Sequence, residues 1–266
     1  MVGKKSSRSG YLSGSSSSSS VSSPGRPQLS STVSGEPVPA PQDLLEIVRS
    51  GTASLQQTAA DWLESYEADP GPAMVRLVQF MVSATGCTTV VTAEMVESLE
   101  THELVEQVAA RPEAFPGQGS SYPAGAAGPE GRRFRANFSE LLRQVVVSSS
   151  NSILYDGVLM DLLMGLVTSL SSCVMRPLRH TGSLAALTLL PALAGVSVRE
   201  AKQQELTGRQ LEAEGRKQVE SRAADRMEVL KTKLDEMAQN QEELDHIINY
   251  LFTSVFVLRC KDTADD

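Results

Sequence analysis

A chain of 266 residues with 41% hydrophobic content is long enough to bury one extended core or a solenoid of several helix pairs. Its formal net charge of -8 excludes general coating of nucleic acid, which needs a dominant basic surface, so any DNA contact has to come from local patches. Cys87, Cys173 and Cys260 stand far apart with no CxxC pair, which fits neither a disulfide framework nor a zinc site and points to a reducing, intracellular compartment.

Residues 1–40 are Ser, Gly and Pro with almost no large apolar groups. Such a segment cannot offset the entropy of ordering and is expected to be a disordered tail. Lys4, Lys5 and Arg8 are followed by Tyr11, Leu12 and polyserine rather than an apolar stretch, so no secretory signal is expected and the chain belongs in the cytosol or nucleus. From Pro41 the apolar residues fall at helical spacing. Leu44, Leu45 and Val48 predict a short helix ending at Gly51. Leu55, Ala59, Trp62, Leu63 and Tyr66 predict a second, and Pro70, Gly71 and Pro72 predict a break before a third through Met74, Leu77, Val78 and Met81, the two forming a tight hairpin. Thr92, Glu94 and Met95 open one further helix running through Leu99, Leu104 and Val108, after which Pro112–Gly131 reads as a long, mobile loop. Phe134, Phe138, Leu141, Leu142 and Val145 begin another amphipathic helix, and Leu154–Leu170 reads as an apolar one. Strand-like alternation is scarce.

In the last third, Leu230, Leu234, Met237, Gln241, Leu244, Ile248, Leu251, Val255 and Leu258 follow Met227 at spacings of three and four, a heptad-like seam with one polar member. Residues 200–220 are rich in Glu, Gln, Lys and Arg and read as a long solvated helix. An antiparallel helical hairpin with its turn near Ser221 and Arg222 is the simplest arrangement, and a parallel dimer is the rival. Gly182–Val198 is nearly free of charge, but Pro191 and Gly195 interrupt it and it falls short of the about twenty apolar residues a span needs. A buried central helix is expected, with a membrane-associated helical protein as the alternative.

Catalytic chemistry has little to stand on. His102, His180 and His246 lack metal-ligand spacing, no nucleophile elbow, phosphate loop or HExxH occurs, and the carboxylates alternate with bases as on a solvated face. No enzyme activity, metal or cofactor is expected.

Several stretches together resemble the stromalin family, the stromal antigen or SA subunits of cohesin. Asp61-Trp62-Leu63-Glu64-Ser65-Tyr66, Leu77 with Phe80, Gly86-Cys87, and Val91-Thr92 with Met95 look like that family's DWxxxY, LxxF, GC and VTxEM series. Tyr122-Pro123, Gly128-Pro129, Phe134, Asn137-Phe138, Leu154-Tyr155-Asp156 and Met160-Asp161 follow in the family's order. Arg179-His180-Thr181 with Leu184-Ala185-Ala186 is similar to RHTSTLAAM, and Arg209-Gln210 with Glu212-Ala213-Glu214 to RQYEAE. Gln241-Glu242-Glu243 and Val255-Phe256-Val257-Leu258-Arg259 complete the likeness, which spans most of residues 42–262. Two departures stand out. Cys173-Val174-Met175-Arg176-Pro177-Leu178 replaces the run before RHT, and Pro191 stands inside the following helix, where it removes a hydrogen bond at a cost of about 3 kcal/mol unless the fold accommodates it.

The resemblance implies an all-α, HEAT-like helical solenoid, working on chromatin in the nucleus as a non-catalytic scaffold subunit of cohesin in sister-chromatid cohesion and chromosome segregation. A meiotic branch is one assignment it leaves open. The expected organisation is a tail at 1–40, a stromal-antigen-type helical region at 41–175, and a long helical hairpin at 176–266. The chain is expected to be a front fragment or truncated product, with the surface for chromatin regulators and most of the kleisin surface beyond Asp266. The implied partners are the cohesin ring subunits including the kleisin, DNA as a further contact, and no membrane; a truncated copy unable to join cohesin is the other consequence. Arg132, Arg133 and Arg135 occupy a basic segment like the family's WKKF and are candidates for gripping DNA phosphates, with Arg216, Lys217, Arg222 and Arg226 as a second cluster.

Overall fold

The computed structural model describes residues 43–116, 122–216 and 221–261, with the side chains of 221–224 outside the description; the expected tail lies outside it too. Among the described residues every regular element is helical.

α1 (Leu44–Ser50) begins where the Asp43 carboxylate accepts the N–H of Leu45 at 3.0 Å. It ends at Gly51, whose φ of 63° is the left-handed stop that a side chain would strain. α2 (Leu55–Ala68) buries Trp62, Leu63 and Tyr66 on one face. The break before α3 (Pro70–Ala84) is shorter than the prolines suggest. Asp69 alone is extended, and Pro70 and Pro72 sit in the first turn of α3, where a missing N–H costs nothing. The indole N–H of Trp62 donates to the carbonyl of Ala73 at 3.0 Å and closes the α2–α3 pair.

The single helix expected from Thr92 to Val108 is two. Thr92 caps α4 (Ala93–Ser98), Leu99 turns extended, and Glu100 with Glu103 forms a capping box that starts α5 (Thr101–Ala109). The break lets α5 lay Leu104, Val105 and Val108 against the apolar helix that begins at Leu159. Pro112–Ala114 and Pro123–Gly125 are 3₁₀ turns. Phe115, Tyr122 and Ala124 are buried, so the described ends of the expected mobile loop are docked on the body. α6 (Gly128–Ser149) starts at Gly128 rather than beyond Gly131, with Pro129 in its first turn. Phe134, Phe138, Leu141, Leu142 and Val145 all face inward, with the Phe138 ring 5.4 Å from that of Phe80.

The apolar helix expected from Leu154 starts later. Ile153–Tyr155 is a 3₁₀ turn, and the Asp156 carboxylate accepts the N–H groups of Val158 and Leu159 at 2.8 and 2.9 Å to begin α7 (Leu159–Ser172). α8 (Arg176–Gly215) runs for 40 residues straight through Pro191. That proline leaves the carbonyl of Leu187 without its helical partner, and both residues are on the exposed side, where the carbonyl is not walled off from solvent.

α8 is long and apolar enough by length and composition to cross a membrane, with a mean hydropathy of 1.6 over its most apolar stretch. It is not broken as the sequence suggested. Its stripe of Leu178, Ala185, Ala186, Leu189, Leu193 and Val196 is buried, and α8 packs against α6, α7 and the helix that follows it, which is the expected central helix rather than the membrane alternative.

α9 (Ser221–Leu251) runs antiparallel to α8. Gln241 meets Ser197, Met237 meets Thr207, and Met227 faces Gly215, so contacts descend one helix as they climb the other. Ser221 and Arg222, where the turn was expected, are already in α9, and residues 217–220 lie outside the described residues. Met237, Leu244, Leu251 and Val255 are buried within the chain, joined by Ile247. Leu258 departs from the seam and is 62% exposed, because Phe252–Val257 winds as a π-helix whose wider turn rotates the residues after it. Successive helices packed on their neighbours around one continuous core make an all-α, HEAT-like solenoid.

Candidate nucleic-acid interface

The residues that carry the resemblance meet in space as fasteners. The Tyr66 hydroxyl of α2 donates to Asp156 Oδ2 at 2.5 Å across 90 residues, while the same carboxylate caps α7. Burial, together with the Asp156 carboxylate, holds the Tyr66 phenol far above its ordinary value. Tyr122 pairs with His180 Nδ1 at 2.8 Å, edge to face. Burial raises the Tyr122 phenol against the opposing pull of Arg176 and Arg135, and desolvation with the same two guanidiniums holds His180 below its ordinary value. Asn137 Nδ2 donates to the carbonyl of Val48 at 2.9 Å and fixes α1 on α6.

The predicted basic residues do not form one patch. Arg132 and Arg133 are exposed in the first turns of α6, and Arg133 Nη2 donates to the carbonyl of Arg49 at 3.4 Å. Arg135 is half-buried and turned the other way, its Nη1 donating to the carbonyls of Ala124 and Ala126 at 3.0 and 2.9 Å. It clamps the 3₁₀ turn that follows Tyr122. Gly131 permits that docking, since a Cβ there would overlap the Ala126 carbonyl. Arg216 is exposed at the end of α8 with Glu212 at 3.9 Å, and Arg226 is exposed on α9. Arg222 has its backbone in α9 and its side chain outside the description, and Lys217 lies outside the described residues. α6 touches α8 at Ser139–Thr188 (2.9 Å), and Arg216 lies roughly 40 Å further along α8 at the helical rise per residue. Arg49 is the cation that the sequence reading missed. Its position in the last turn of α1 is visible in the sequence, but its place beside Arg133 is not.

Among the described residues no three His, Cys, Asp or Glu side chains converge as metal ligands would. What the arrangement offers is surface: stacked helix pairs, interlocked by part-buried hydrogen bonds, that present side chains to solvent.

Fold and surface together define the class: a helical-repeat scaffold of interaction surfaces. Residues 120–233 match the model of the STAG domain. The chain is 34% identical over 222 residues to cohesin subunit SA-1 of Xenopus laevis, covering 84% of this chain and 17% of that protein. It is 35% identical over 228 residues to cohesin subunit SA-3 of Homo sapiens, covering 86% of this chain and 18% of that one. The structure of cohesin subunit Scc3 from Z. rouxii superposes with a TM-score of 0.71 at 21% identity, over 85% of this chain and 27% of that one. The chain belongs to the stromalin, or SA, family, and spans less than a fifth of the length of these two SA relatives.

Proposed function

We propose that this chain acts as a non-catalytic scaffold subunit of cohesin, serving sister-chromatid cohesion on chromatin in the nucleus, with the ring subunits including the kleisin as its partners. The observation that carries the reading is the likeness to cohesin subunits SA-1 and SA-3, which runs through 84% and 86% of the chain. The residues that fasten this solenoid, Tyr66 with Asp156 and Tyr122 with His180, belong to the motifs of that likeness. The test is co-purification of the tagged full chain with the cohesin ring from nuclear extract. Recovery of ring subunits at stoichiometric levels supports the reading. Their absence, with the chain folded by circular dichroism, favours a copy that does not join the complex.

A second reading, weak sequence-independent DNA contact, rests on the outward-facing Arg132 on α6 and on Arg226 at the hairpin. Affinity for random-sequence duplex should fall with salt at a log-log slope of about -0.9 per phosphate contact, and Arg132→Glu with Arg226→Glu should remove most of it. Unchanged affinity in the double variant refutes the contact.

A further inference from the structure

Between α1 and the first turns of α6 lies a groove of about 520 Å³ that neither the fold nor the proposed scaffold role uses. Its floor is the ring of Phe134 with Tyr122, Pro123 and Ala126, and its rim carries Arg49, Arg133 and Glu130. The two arginines come from elements 84 residues apart and are joined by the hydrogen bond from Arg133 to the Arg49 carbonyl. Neither guanidinium has a carboxylate within ion-pair distance among the described residues, whereas Arg143, Arg209 and Arg216 each have a glutamate one helical turn away. The groove is also preformed. Asn137 holds α1 to α6, and Arg135 clamps the 3₁₀ turn that makes one wall.

We propose that this groove docks a short acidic segment of a partner protein, seating one apolar side chain over Phe134 and pairing flanking carboxylates with Arg49 and Arg133. An apolar floor ringed by charge is the arrangement in which a buried anchor supplies affinity and the rim supplies orientation. Guanidiniums suit carboxylates because they bind them through two parallel N–H donors. A concave pocket of this size accepts a side chain, while a duplex presents a convex row of phosphates that leaves the floor empty. Arg132, which carries the DNA reading, is not part of the groove, and the docking stands whether or not the chain joins cohesin.

The test is fluorescence anisotropy on the full chain with a labelled peptide bearing one leucine between two pairs of glutamates. Binding should weaken with salt, and replacing the glutamates by lysine or the leucine by serine should each cost about tenfold in affinity or more. Arg49→Glu and Arg133→Glu should each cost about tenfold, while Arg143→Glu, elsewhere on α6, should leave binding unchanged. Circular dichroism checks the fold, and Arg133→Gln replaces Arg133→Glu if the charge reversal unfolds the chain. The proposal is overturned if the peptide does not bind, if the lysine peptide binds equally, or if both charge reversals leave affinity unchanged. It is also overturned if random-sequence duplex displaces the peptide and Arg49→Glu abolishes that competition, which would assign the groove to nucleic acid.

Discussion

Leu244 is fully buried where α9 packs on α8, so shortening it to alanine tests whether the helical seam is an intramolecular core. The three carbons lost are worth about 2 kcal/mol in transfer from water at about 0.8 kcal/mol per methylene. The cavity they leave adds to this, and because long helices fixed at Gln241–Ser197 and Thr207–Met237 close the gap only in part, the total should be about 3–4 kcal/mol. Two controls bracket the result. Gln239→Ala removes an exposed side chain, and Leu258→Ala removes one that shares the sequence pattern but is 62% exposed, so each should cost within about 0.5 kcal/mol. Urea unfolding gives the differences from the midpoints, provided the slopes agree. A loss at Leu244 below about 1 kcal/mol and equal to that at Leu258 refutes the burial argument. A midpoint that climbs with protein concentration would instead place the seam between two chains.

Deleting residues 1–40 should leave the thermal midpoint nearly unchanged because their composition cannot build a core, and a drop of many degrees would contradict this. Arg135→Ala removes the donor to two turn carbonyls and should cost about 1–3 kcal/mol, against within about 0.5 kcal/mol for Arg132→Ala; equal losses in urea would mean that Arg135 braces nothing. Burial, then the carboxylates of Glu200 and Glu243, pushes the Tyr155 phenol up to about 12, so the native state keeps a proton that the unfolded chain releases near pH 10. That contribution is complete below about pH 10 and is lost as pH rises towards 12, so Tyr155→Phe should flatten the alkaline fall in stability measured by urea titration at several pH values. At neutral pH the same variant should be no less stable, because the buried hydroxyl has no hydrogen-bond partner among the described residues; a loss above about 1 kcal/mol would reveal one.

Much of the helical layout was legible because helix ends and faces are set by residues within a turn of one another. Leu44, Leu45, Val48 and Gly51 marked α1, Thr92 began α4, and Trp62 and Tyr66, four apart, had to share a face. In α9 the buried Met237, Leu244, Leu251 and Val255 followed from spacing, whereas the buried Ile247 did not, and past Val255 a π-helix that no periodicity announces turned Leu258 outward. The same local logic missed the break at Leu99 and lengthened the one at Pro70, since both depend on where the next helix must go to bury its face.

The candidate site was less legible. Arg132, Arg133 and Arg135 are near neighbours in the chain, and Arg132 and Arg135, three apart, even share a side of the helix, yet Arg135 is taken up by two carbonyls of the 3₁₀ turn while Arg132 and Arg133 stay exposed. The order of motifs showed the family; it could not show that Tyr66 reaches Asp156 across 90 residues, that Tyr122 reaches His180 across 58, or that Arg49 stands beside Arg133. Sequence therefore determined the helices, their buried faces and the kind of protein they build. Which polar side chains are spent inside the fold and which remain for a partner was decided only by tertiary packing, because a buried donor or acceptor must find its partner in whatever distant element lies against it.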